Sequence, residues 1–166
     1  MAANALDILK TAILMERRGR AFYKKVSEEA KNKAVKAFFE MMLKEEEHHM
    51  KILGEQFKYF KKNGKFVSGS YDAASTSNIV SKILSKDIMA KVESAGFESA
   101  AISGALALEE KAERIYRDRS NAASDLEEKK LYEWLAQWES EHLAVLSKMD
   151  RMLTETIWND NKFWPF

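Results

Sequence analysis

Apolar residues recur every three to four positions along four long stretches of the chain, and between the second and third stretch that rhythm stops. In the first stretch Leu9, Ile13, Tyr23, Val26 and Ala30 fall near one helical stripe, with Glu16 among them; in the second, Val35, Phe39, Met42 and Leu53 share a stripe with Glu46 and His49. The third places Ile102, Ala105, Ala112 and Tyr116 with Glu109, and the fourth places Tyr132, Leu135, Leu146, Met149 and Leu153 with Glu139 and His142. The spacing predicts helices over about 3–30, 33–61, 97–122 and 126–155. Asn32 supplies a break and an N-cap before the second, and Asp125 with Glu128 resembles a capping box before the fourth. Residues 61–78, rich in Gly, Ser, Asn and Lys, read as loop, and 79–93 as one or two short helices. The architecture expected is all-α: a single domain over 1–166, built as a four-helix bundle of two helical hairpins. A long crossover at about 62–95 lets the third helix start at the other end of the bundle. The aromatic tail, 156–166, is expected to pack on its own bundle or on a partner subunit.

The two hairpins are versions of one another. Sliding the chain by 93 residues aligns Ala12–Leu53 with Ala105–Leu146 without a gap. Identical pairs include Glu16/Glu109, Tyr23/Tyr116, Ser27/Ser120, Glu46/Glu139, His49/His142 and Leu53/Leu146. Two of only three histidines therefore occupy equivalent positions, each with a glutamate three residues before it.

Composition narrows the chemistry. Six glycines and one proline, the latter at position 165, leave little to interrupt long helices. The absence of cysteine removes disulfides, thiolate metal sites and iron–sulfur centres. A net charge of +1 offers no cationic excess for nucleic acid. No segment approaches the roughly 20 apolar residues of a membrane span, and the N-terminus lacks the uninterrupted apolar run of a signal peptide, since Asp7 and Lys10 break it. A cytoplasmic protein that binds neither membrane nor nucleic acid is expected.

Four glutamates on apolar stripes need a cation, a partner or a proton, because an unpaired buried carboxylate costs several kcal/mol. Glu16 lies 16 residues before Asn32 and Glu46 lies 14 after it, so the chain climbs and returns by nearly equal distances. Glu109, Asp125 and Glu139 repeat those separations. Within Glu46–His49 and Glu139–His142 the i, i+3 spacing puts both side chains on one face, able to grip one metal ion. Carboxylate and imidazole suit iron, manganese or zinc. His48 competes with His49, since Glu45 stands three residues before it, but His49 shares the stripe of Phe39, Met42 and Leu53 while Glu45 and His48 point elsewhere. Tyr23 and Tyr116, seven residues after Glu16 and Glu109, either hydrogen-bond a carboxylate of a neighbouring helix or fill the core as aromatics.

Two helices giving Glu and two giving Glu-x-x-His resemble the ligand pattern of ferritin-like di-iron carboxylate proteins. The segments MERRGRAFYKKVSEEA, LEEKAERIYRDRS, KEEEHHMKIL and WESEHLAVL are similar to the rubrerythrin branch. The resemblance implies Glu16, Glu46, His49, Glu109, Glu139 and His142 as ligands of two iron ions, with Glu46 and Glu139 bridging. Two departures stand out. Rubrerythrins proper carry a four-cysteine rubredoxin-like domain, and this chain has no cysteine, which implies a separate electron-donor protein. They also carry an additional glutamate one turn after the first ligand of the third helix, where this chain has Ala112.

The function implied is that of a redox enzyme reducing peroxide or dioxygen, in a homodimer. The alternatives are an iron-binding ferroxidase that stores iron, and a non-catalytic metal-binding bundle. A shared scaffold does not choose among them.

Overall fold

The computed structural model describes residues 4–69 and 96–159, with no side-chain detail from 156 onward. Four helices account for nearly all of it: α1 (Ala5–Glu29), α2 (Lys33–Asn63), α3 (Phe97–Ala122) and α4 (Leu126–Asn159). The boundaries follow local chemistry. Asn4 caps α1 by accepting from the Leu6 N–H, and Asn32 caps α2 by accepting from the N–H groups of Ala34 and Val35. Asp125 does the same for α4, accepting from Glu127 and Glu128 at 2.9 Å. Glu128 departs from a full capping box: Arg119 of α3 donates to its carboxylate from Nε at 2.8 Å and from Nη2. A guanidinium is a stronger donor to carboxylate than a backbone N–H, so the contact between helices prevails. At its far end α2 stops at Gly64, whose φ of 69° is the left-handed conformation glycine adopts without strain.

α1 pairs with α2 and α3 with α4, each as an antiparallel hairpin. α3 begins beside the α1–α2 turn, where its Glu98 carboxylate accepts from the N–H groups of Lys31 at 2.8 Å and Asn32 at 3.2 Å. α2 ends at the opposite end of the bundle, so its connection to α3 starts far from where α3 begins. The first part of that connection folds back on α2: Phe66 is buried against Phe60, and Gln56 exchanges hydrogen bonds with the backbone of Val67. The short helices expected at 79–93 and the packing of the aromatic tail lie outside the described residues.

Two apolar clusters fill the bundle, one at each end. Tyr23, Val26, Phe38, Phe39 and Met42 meet Ile102, Ala105, Leu146 and Met149 near the α1–α2 turn. Leu9, Ala12 and Leu53 meet Tyr116, Leu131, Tyr132 and Leu135 at the other end. Polar side chains occupy the layer between them. No helix among the described residues is long and apolar enough to cross a membrane.

The turn between α1 and α2 sets the height at which side chains of the first hairpin meet. Replacing Asn32 by Ala removes the side-chain cap while leaving its backbone N–H on Glu98. We expect a loss of about 1 kcal/mol, read as a lower denaturation midpoint at unchanged slope.

Candidate metal centre

Glu16, Glu46, His49, Glu109, Glu139 and His142 all lie in the polar layer, each at most 4% exposed. Their helices deliver them in matched pairs. Glu46 and His49 project from one face of α2, Glu139 and His142 from one face of α4, while α1 and α3 contribute Glu16 and Glu109.

Both imidazoles turn Nδ1 towards the carboxylates. His49 Nδ1 is 3.0 Å from Glu16 Oε2, 3.4 Å from Glu139 Oε1 and 3.9 Å from Glu46 Oε2. His142 Nδ1 is 3.2 Å from Glu139 Oε2 and 3.5 Å from Glu109 Oε2. Two groups of potential ligand atoms result, Glu16, Glu46, His49 and Glu139 in one and Glu109, Glu139 and His142 in the other, with all atoms of a group within 4.8 Å. Glu139 belongs to both. Glu46 belongs to one: its carboxylate leans onto α1, where Oε1 would lie 3.2 Å from a Cβ at position 19 if that residue were not glycine.

The tyrosines tie the halves together. Tyr23 donates its hydroxyl hydrogen bond to Glu109 Oε1, and Tyr116 donates to Glu16 Oε1. Each phenol thus reaches the carboxylate of the opposite hairpin. Burial first, then the neighbouring carboxylates, holds both phenols well above the usual tyrosine range, so both remain O–H donors.

Without a cation the cluster balances its charge by taking up protons. Burial, followed by the charge of Glu16, raises the Glu46 carboxyl well above its ordinary range. Burial and then Glu139 push Glu109 up to about 8. Burial works to lower the pKa of both imidazoles and is outweighed: hydrogen bonds to Glu139 and Glu16 lift His49 to about 9, and those to Glu109, Glu139 and Glu45 raise His142 well above 6.5. For Glu139, burial is outweighed by its hydrogen bonds to Glu109 and both histidines, which hold it well below 4.5.

The donors present suit a pair of divalent cations. Glu46 Oε2, Glu109 Oε2 and Glu139 Oε1 are buried and make no well-formed hydrogen bond among the described residues, the imidazole nitrogens nearest the last two lying at 3.5 and 3.4 Å. Such orphaned oxygens are unfavourable in a dry core unless something positive sits among them. A cavity of about 100 Å³ opens onto the cluster between α1 and α3, lined by Gly19 and Ala112 with Arg18 and Lys111 at its edge.

Two residues of this layer are not among the site residues expected from the sequence. His48 is exposed, but Glu45 is half-buried and reaches α4, where its Oε2 accepts from His142 Nε2 and, at 3.2 Å, from Trp138 Nε1. Gly19 is the other, and its signal was present: it aligns with Ala112 in the repeat, so both halves place a small residue one turn after their first glutamate.

A four-helix bundle with a buried carboxylate–histidine cluster at mid-height defines the ferritin-like architecture. The rubrerythrin family model matches residues 7–150, and the chain belongs to that family. No curated protein and no solved structure matches it.

The charge state makes a prediction for metal-free protein. Glu109 and His49 bind protons more tightly folded than unfolded, so the stability they contribute is complete at low pH. It is lost as pH rises through about 8 and about 9 respectively. Glu139, shifted the other way, loses its contribution as pH falls below 4.5. Calorimetry of metal-free protein should show the melting temperature falling steadily between pH 6 and 9; a flat or rising profile contradicts this proton inventory.

Proposed function

We propose that the chain is a di-iron enzyme that reduces peroxide or dioxygen, with Glu16, Glu46, His49, Glu109, Glu139 and His142 as the metal ligands. The observation that carries the reading is the pair of buried ligand groups sharing Glu139, with unpartnered carboxylate oxygens between them. A pair of redox-active ions, when bound, supplies the electrons that an O–O bond takes up.

The protein's own part is to hold, neutralise and exclude. The protons on Glu46, Glu109 and the histidines leave as cations arrive, so uptake releases protons and strengthens with pH. Tyr23 and Tyr116 keep an O–H on one oxygen of Glu109 and of Glu16, which fixes each carboxylate and leaves its other oxygen facing the cluster. The apolar clusters above and below keep bulk water out. The small cavity bordered by Gly19 and Ala112 admits a molecule of a few atoms, which suits dioxygen or peroxide. In family members with a glutamate in place of Ala112, a further carboxylate stands there; here a methyl group does.

Manganese or zinc also satisfies this donor set, so iron is part of the proposal. So are a cytoplasmic homodimer and a separate electron-donor protein. Storage of iron is the second reading, favoured by the same ligand groups, and it requires a large hollow assembly.

Ferrous iron added anaerobically should bind at two ions per chain and, on stopped-flow mixing with hydrogen peroxide, oxidise faster than free ferrous iron. Oxidation no faster than that of the free ion sinks the enzymatic reading. A small assembly with two irons per chain excludes storage, whereas a hollow shell carrying many per chain establishes it. Because Glu139 is shared, Glu139→Ala should reduce binding from two ions to fewer than one. Glu109→Ala should retain about one, since the group containing His49 stays intact.

A further inference from the structure

The repeat relates the two hairpins by 93 positions, so Glu45 and Trp138 are equivalent residues, each one position before the glutamate of a Glu-x-x-His pair. Each reaches across to the histidine of the other half, and the two do opposite things there. Glu45 Oε2 accepts a hydrogen bond from His142 Nε2. Trp138 lays its ring against His49, with centroids 5.4 Å apart and planes at 89°, and His49 Nε2 has no hydrogen-bond partner among the described residues. Trp138 also donates Nε1–H to Glu45 at 3.2 Å, which anchors the carboxylate on His142.

We propose that Glu45 is a positioning residue that sustains metal binding on the His142 side alone and makes the two halves of the centre unequal. The inference rests on the metal-centre reading above. An acceptor at Nε2 holds a proton there, so that when a cation displaces the Nδ1 proton the freed lone pair lies beside Glu109 and Glu139 and that nitrogen is a better donor. His49 instead has the indole rings of Trp134 at 5.5 Å and Trp138 at 5.4 Å packed near it, and no carboxylate among the described residues accepts from its Nε2. The asymmetry has a counterpart in ligand number. The His49 group contains four donors and the His142 group three, so the outer carboxylate stands behind the side with fewer direct ligands. Glu45 thereby compensates for a missing donor without occupying a coordination position.

The test is a titration of metal-free protein with zinc, followed by calorimetry and by imidazole ¹H–¹⁵N spectra of the loaded form. Wild type should take two zinc ions, and His142 should show a downfield Nε2 proton that exchanges slowly, unlike that of His49. Glu45→Gln should weaken one binding event by about 10- to 100-fold, leave the other in place, and abolish the protection of the His142 proton. Glu47→Gln, on the exposed face and paired with Arg20, should change neither. Equal weakening of both events, or no change in either, overturns the proposal while leaving the metal centre standing. Failure of wild type to bind zinc, manganese or ferrous iron sinks the metal-centre reading itself. The spectrum does not depend on the variant's folding: a His142 Nε2 proton in wild type that exchanges as fast as that of His49 overturns the inference alone.

Discussion

Four carboxylates at the centre of an apolar bundle repel one another and are poorly solvated, and the surrounding structure answers that cost. Ionised together in a dry core they would oppose folding by far more than the 5–15 kcal/mol that holds a typical domain together. The metal-free chain answers with protons, raising Glu46, Glu109 and both histidines while Glu139 alone is driven towards the ionised form. The pattern sets the Glu139 carboxylate between two imidazoles that favour their protonated form, with Glu46 and Glu109 beside it shifted towards the protonated carboxyl. A divalent pair meets the same demand with fewer, more concentrated charges. On the metal-centre proposal, the cluster sets protons and metal in competition for one set of lone pairs.

That competition explains why the polar layer lies where it does. The apolar clusters at either end of the bundle bury aromatic and aliphatic surface, which offsets the cost of an unfavourable centre. They also prevent water from screening it, so position matters for every donor. The tyrosines illustrate this. Tyr23 belongs to the core of one end, stacked on Phe39, and Tyr116 to the other, stacked on Tyr132, while their hydroxyls enter the polar layer from opposite sides. Packing fixes the ring, and the ring fixes the carboxylate of the other hairpin.

The helices were legible because local signals agreed with the global pattern: long apolar periodicity, almost no Gly or Pro inside it, and Asn32 and Asp125 at the turns. The polar layer was legible for a different reason. The repeat put two Glu-x-x-His pairs and two upstream glutamates in register, and equal climb and return about each turn brought them to one height. Position along a helix and the face it presents are properties of the sequence. The reach of a side chain across to another helix is not. Glu45 falls off the inward stripe of α2, yet the distance to α4 brings its carboxylate onto His142. Likewise, Glu46 leaning onto Gly19, and Glu128 preferring Arg119 to its own cap, depend on how close two helices come and which rotamer fits between them.

Where, then, can a duplicated site acquire differences between its halves? Glu139 lies in both ligand groups, so altering it disturbs both at once. The other proposed ligands share the charge balance, and Tyr23 and Tyr116 cross-link two of them, Glu109 and Glu16, so a change in one half is felt in the other. Residues one step outside the ligand set are under neither constraint. Positions 45 and 138 hold Glu and Trp, and positions 19 and 112 hold Gly and Ala. The first pair decides what stands behind each histidine; the second decides how closely α1 and α3 approach the carboxylates and how wide the opening between them is. Symmetry in the ligands and asymmetry in their neighbours follow from the same requirement, that charge at the centre stay balanced while the space and hydrogen bonding around it change.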